Sequence, residues 1–171
     1  MDLYKLGIKF FMKDPNAIPI PDFIPVFQKW IQQQVITDHL LVDVHNYSHI
    51  HQGPGILLVA HEGNFSIDMA GGRAGLLYFR KQPGGDALKT TLQACSLLEG
   101  EPSLGGKVQF RRDELQIISN DRLLAPNDEK TFLELEPALS LALRNALGNR
   151  DFKLTRTSND SKERLTIQVR L

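Results

Sequence analysis

Cysteine is all but absent from this chain. The single thiol, Cys95, excludes an internal disulfide and a cysteine-based zinc cluster. An excess of charge of either sign is also missing, because 20 Lys and Arg balance 20 Asp and Glu. A dedicated nucleic-acid binder usually carries a basic excess, so the balance argues against one. It also removes the net repulsion that keeps copies apart, which makes self-association easier. No apolar run approaches the ~20 residues that a membrane span requires. The opening MDLYKLGIKFFMK alternates and carries three lysines, without the apolar core or small-residue cleavage site of a signal peptide. The expectation is a cytoplasmic protein with a reduced thiol and no nucleic-acid or membrane partner.

The usual catalytic signatures are missing as well. Gly71-Gly72-Arg73-Ala74-Gly75 is glycine-rich but runs into the strand pattern Leu76-Leu77-Tyr78-Phe79, whereas a phosphate loop must open a helix. His61-Glu62-Gly63-Asn64 lacks the second histidine of a His-Glu-x-x-His zinc motif. Ser48 and His49 are chain neighbours, while a nucleophile and its base meet in space. Cys95 falls in the apolar phase of a helical pattern, the place of a small core residue. The C-terminal stretch holds Arg150, Lys153, Arg156, Lys162, Arg164 and Arg170 but only one aromatic, Phe152. It is a mild basic surface without a stacking platform for single-stranded nucleic acid.

What is present is the material of one globular unit. With 171 residues, 42% of them apolar, the chain suits a single α+β domain over 1–171 that buries roughly 70% of its unfolded surface. Alternation predicts a first strand over 3–12, with Leu6, Ile8 and Phe10 on one face. The three-proline segment DPNAIPIPD reads as an extended connector. Asp22 as N-cap and Pro25 in the first turn then start an amphipathic helix over 23–35. A four-stranded meander follows, with strands at 40–47, 56–62, 65–70 and 75–81.

Asp86 caps a helix over 87–99 that stops at Gly100. A hairpin is expected from strands 107–112 and 114–119, turning at Arg112-Asp113. A helical segment runs from Asn127-Asp128-Glu129 to Leu147, kinked or divided at Pro137. Strands 151–157 and 163–170 close the chain. Helix followed by hairpin recurs at roughly 40 residues. This order fits a mostly antiparallel sheet of eight or nine strands with three helices on one face.

All five histidines, His39, His45, His49, His51 and His61, fall in the meander or at its entry. If Gly63-Asn64 is a two-residue turn, His61 faces Ser66 and Val59 faces Asp68. One face then carries Ile56, Leu58, Ala60, Phe65, Ile67 and Met69, joined by Val42 and Val44. The other gathers Asp43, His45, Tyr47, His61, Ser66 and Asp68. Two histidines and two aspartates on neighbouring strands are suitable ligands for zinc or iron and suitable groups for acid–base chemistry. The metal version uses His45, His61 and Asp68. Polar residues belong on an uncovered sheet face in any case, and no complete catalytic set accompanies them, so no cofactor is called for. A one-residue slip would send these side chains to opposite faces. The same face also holds Leu41, Leu57 and Val59, more apolar area than a free face exposes, so a loop, the helices or a second copy should cover it. His39, beside Asp38 at a helix exit, is expected at the surface.

The run Val42-Asp43-Val44, Tyr47-Ser48-His49, Gly53-Pro54-Gly55 and His61-Glu62-Gly63-Asn64-Phe65-Ser66 resembles a family of uncharacterised bacterial proteins. The resemblance implies a bacterial cytoplasmic protein and carries no activity to transfer. The leading expectation is therefore a non-catalytic binding or assembly module that forms a homodimer through or near the outer face of 40–81. The competing expectation, from another class, is a metal-dependent or acid–base enzyme, or a small-ligand binder, using the His/Asp patch.

Overall fold

The computed structural model describes residues 5–171. Eight strands form one sheet: β1 Leu6–Met12, β2 Leu41–Tyr47, β3 Gly55–Ala60, β4 Gly63–Asp68, β5 Gly75–Arg80, β6 Phe110–Ser119, β7 Lys153–Arg156 and β8 Thr166–Arg170. Every neighbouring pair is antiparallel, in the order β2-β3-β4-β5-β1-β6-β8-β7. Three helices, α1 Phe23–Gln33, α2 Ala87–Glu99 and α3 Glu129–Leu147, complete an α+β fold. Leu3 and Tyr4, where the first strand was expected to begin, lie outside the described residues.

Strand alternation decides which side the helices cover. Ile8 and Phe10 of β1, Ile56 and Leu58 of β3, Phe65 and Ile67 of β4, Leu76 and Tyr78 of β5, and Leu115 and Ile117 of β6 all point into one core. Phe23, Phe27 and Trp30 of α1, Leu88, Cys95 and Leu98 of α2, and Leu135, Leu139 and Leu143 of α3 pack against them at helical spacing. Burial pushes the Cys95 thiol far above its ordinary value, as suits a core residue.

The capping residues work unequally. Asp86 accepts a bond from Lys89 N, and Asp128 accepts one from Thr131 N. Asp22 stands at the start of α1 but makes no capping bond; Pro25 needs none in that first turn. Gln34, left-handed at φ 48°, ends α1, and its amide exchanges bonds with both backbone groups of Leu41. α3 runs as one element through Pro137, which lies on its exposed side.

Four expectations need correction. The residues read as a hairpin over 107–119 form the single strand β6. Arg112 reaches Glu99 and Arg111 reaches Asp113, so the polar pair read as a turn is held within an extended strand. The register irregularity opposite Phe10 to Met12 absorbs the extra residues. The β3–β4 turn sits at His61-Glu62 and not at Gly63-Asn64, because Leu57 faces Ser66 and Ile56 faces Ile67. Leu40 anchors that turn: its carbonyl accepts from His61 N and its N–H donates to the Glu62 carboxylate. A β-bulge sets Val42 and Asp43 together against Val59, so Val42 leaves the core and is 56% exposed while Leu41 enters it.

His39, finally, is buried. Its Nδ1–H donates to the Thr37 carbonyl, which leaves Nε2 to accept from the Tyr78 hydroxyl at 2.7 Å. Burial of that phenol raises its pKa above the ordinary value, so the hydroxyl stays a donor at neutral pH.

Gly55 opens β3 with φ +60°, and a Cβ there would fall 2.2 Å from the Ile67 carbonyl oxygen. Both the dihedral and the clash oppose a side chain. Gly55→Ala should therefore lower unfolding stability by about 2 kcal/mol, read as a reduced urea midpoint. An unchanged midpoint would show that β3 pairs differently.

Candidate functional site

The face turned away from the helices is built around β1. Its Lys9 is 1% exposed although no helix covers it. The ammonium donates to Asp68 of β4 at 2.7 Å and to the Ala70 carbonyl. Burial lowers the Lys9 pKa, and Asp68 acts against that shift by attraction and hydrogen bonding.

The cover over Lys9 is the β4–β5 connection, Met69–Arg73. Met69 N donates to the Gly53 carbonyl and Gly71 N to the Gln52 side chain, which ties this strap to the β2–β3 loop. Arg73 then crosses the Phe11 ring, 3.6 Å from its centroid, and grips Glu114 of β6 with two bonds of 2.8 and 2.9 Å. Arg111 and Gln168 add further donors to Glu114. The bonds from Arg73 hold the Glu114 carboxyl below its ordinary value, against the opposing effect of burial. The strap thus lies over Lys9 and Phe11, while the apolar residues for which a cover was expected fare differently: Leu41 turns into the core, and Tyr47, Leu57 and Val59 stay half-buried.

Beyond the strap the face opens into a groove of about 1010 Å³. Strand registers place its residues in rows. The first row runs Leu57, Ser66, Leu77, Lys9, Gln116, Gln168. The next runs Val59, Asn64, Phe79, Gly7, Ile118, Thr166. A Cβ on Gly7 would lie 2.3 Å from the Phe79 ring, so the missing side chain lets that ring lie across the sheet as a floor. At the end away from the strap, Lys81, Lys5, Asn120 and Arg164 continue the alternation as a last row, and all four line the groove. Lys5 pairs with Asp121 at 3.5 Å.

The six residues singled out in the sequence divide among three places. Ser66 and Asp68 line the groove, both nearly buried, with Asp68 committed to Lys9. Asp43, His45 and Tyr47 lie on the edge strand β2. His45 Nε2 stands 3.5 Å from Asp43, and its ring centroid 6.2 Å from that of Tyr47. With β3 in between, they are about 10 Å from the β4 pair, two strand spacings away. His61 sits in the β3–β4 turn, its side chain 67% exposed, beside Gln82 and Glu62. Among the described residues, no three His, Cys, Asp or Glu side chains converge as metal ligands would.

Reading the meander alone missed Lys5, Lys9, Asn64, Phe79 and Arg164. The signal for the first two was available: alternation that puts Leu6, Ile8 and Phe10 inward must put Lys5, Gly7, Lys9 and Phe11 outward. What was missing is the strand order, which sets β1 at the centre of the sheet and beside β5 and β6.

Two outcomes follow. Asp68→Ala strands the Lys9 ammonium in a dry site and should cost about 3 kcal/mol, whereas Lys9→Met with Asp68→Leu should recover most of it. Equal losses in both variants, measured by urea unfolding, would show that the pair is not the unit that matters. The second concerns acid. The folded pKa of Glu114 lies below the ordinary glutamate value of 4.5. Its contribution is present above that value and is lost as pH falls through the folded pKa. The stability gap between the native chain and Glu114→Gln should therefore hold from pH 7 to about pH 5 and shrink as pH falls below the ordinary glutamate value. A gap that does not change with pH would overturn the assignment.

No protein-family model matches the chain, no curated protein matches it, and no solved structure matches it, so the resemblance of the Val42–Ser66 run stands on its residues alone.

Proposed function

We propose that this chain is a non-catalytic binding module whose working surface is the uncovered face of its sheet, with the groove as the recognition site. The observation that carries the reading is a groove of about 1010 Å³ with a wall fixed at one end. The strap bounds one end and is held by the Arg73–Glu114 and Lys9–Asp68 pairs. The floor mixes apolar Leu57, Leu77, Phe79 and Ile118 with Ser66, Asn64, Gln116 and Thr166. Apolar area with a few placed polar groups is the usual composition of a small-molecule site. The acids on its lining are already engaged, Asp68 by Lys9 and Asp121 by Lys5, which supports recognition over acid–base chemistry.

A second reading is self-association, and one observation favours it. On the edge strand β2 and just before it, Val42 and Leu40 are each 56% exposed, and Val42 lies beside the half-buried Val59 on the outer face. A second copy could cover that apolar strip while leaving the groove free.

Ligand-observed NMR with a library of small organic molecules tests the first reading. Molecules that bind the native chain should lose binding to Thr166→Trp, which fills the groove without touching the core; hits that bind both equally would refute the groove. Light scattering at tens of micromolar addresses the second reading. A dimer that Val42→Glu dissociates supports it, and a monomer for both proteins removes it.

A further inference from the structure

The groove has a polarity that its mixed floor does not reveal. We propose that it takes a small amphipathic anion, a carboxylate or phosphate on an apolar body, with the charge at the Lys81–Lys5–Arg164 end and the body along Phe79 and Ile118. The proposal rests on the groove being the recognition site and specifies what is recognised.

Charge supplies the first argument. The chain as a whole is neutral, yet five cationic side chains, Lys5, Arg73, Arg80, Lys81 and Arg164, line this groove against two acids. Both acids are neutralised by lysines, and Arg73 is spent on Glu114. Lys81 and Arg164 make no ion pair among the described residues. They flank Lys5 in one row, about 14 Å apart over three strand spacings. An anion entering that row meets Lys81 and Arg164 beyond the ends of β5 and β8, with the Asp121-paired Lys5 between them. Low-dielectric walls on one side strengthen the attraction relative to an open surface.

The floor supplies the second argument. Phe79 lies across Gly7, next to Ile118, directly behind the cationic row. An apolar body attached to the anion would cover both. In the Phe79 row, the Asn64 amide oxygen is shielded from solvent and meets no donor among the described residues. Such an orphan costs about 1–3 kcal/mol. A hydroxyl or amide on the ligand body could satisfy it after a small side-chain turn.

The size of the ligand follows from the closed end. The strap and the Gln52–Pro54 loop bound the groove where a polymer would have to continue. Among the described residues Phe79 alone supplies an aromatic ring to the floor, and a nucleic-acid track needs several for successive bases. A small molecule fits these limits better than a strand.

A matched pair of fluorescent probes separates the claims. 1-Anilinonaphthalene-8-sulfonate carries an anion on an apolar body, and N-phenyl-1-naphthylamine is the same body without the charge. The native chain should bind the sulfonate at least tenfold more tightly than the amine. Lys81→Glu with Arg164→Glu should remove that preference while the amine still binds; Lys107→Glu, on a distant loop, should leave it intact. Octanoate and octyl phosphate should displace the sulfonate, and the stronger competitor identifies the head group. Amide shifts in ¹H–¹⁵N spectra should cluster at Asn64, Phe79 and Ile118.

If both probes bind the groove equally, the anion proposal fails while the binding module stands. If neither binds there, or shifts cluster elsewhere, the binding-module reading fails with it. Tighter binding of a ten-nucleotide oligothymidine than of the sulfonate would overturn the small-molecule assignment.

Discussion

A lysine ammonium held against an aspartate on the side of the sheet that no helix covers is the constraint on which the outer face depends. Two charges leave bulk water only if each satisfies the other and the remaining donors find acceptors. Lys9 does so with Asp68 and the Ala70 carbonyl, and this requires Ala70 to fold back over β1. The strap that carries Ala70 continues to Arg73, whose guanidinium covers Phe11 and closes on Glu114. With the helices over its inward residues and the Phe79 ring over Gly7, the strap that this charge requires completes the burial of all seven residues of β1. It also explains why the uncovered face has a wall at one end only, and hence a groove.

Much of the architecture is legible from local chemistry. Capping aspartates with apolar residues at helical spacing place α2 to the residue and α3 to within two at its start. Alternation identifies the core faces of β3 and β4 even though the turn between them was placed two residues late. That error slides the pairing by four positions, and an even slide leaves every side chain on its own face. It does remove His61 from the sheet and put it into the turn. The bulge in β2 is an odd displacement, and there the consequence is a change of face: Val42 turns outward. Parity, more than distance, decides which register errors matter.

The site was less legible, because it is assembled from segments far apart in the chain. Ser66 and Asp68 were within reach of hairpin reasoning. Their true partners lie on β1, 59 residues away in the case of Lys9, and on β6 and β8 beyond it. No local pattern encodes that β1 lies between β5 and β6. His39 shows the same limit from the other side. Its chain neighbours suggest a surface residue, yet Tyr78 across the core supplies a bond that makes burial tolerable.

The neutral net charge, read from composition, points away from a nucleic-acid partner. A sum over the chain cannot see arrangement. The acids that line the groove are spent on Lys9 and Lys5 and Arg73 on Glu114, so the lining charges left without an ion pair among the described residues are cations. Such an arrangement attracts an anion only over about a Debye length, some 8–10 Å at physiological salt. In the proposed site it would act on a molecule already at the mouth of the groove, and the apolar floor behind it would hold what the charge draws in. The histidines that first drew notice lie outside this arrangement. The outward half of β1's alternation, with its lysines and its glycine, lies at its centre.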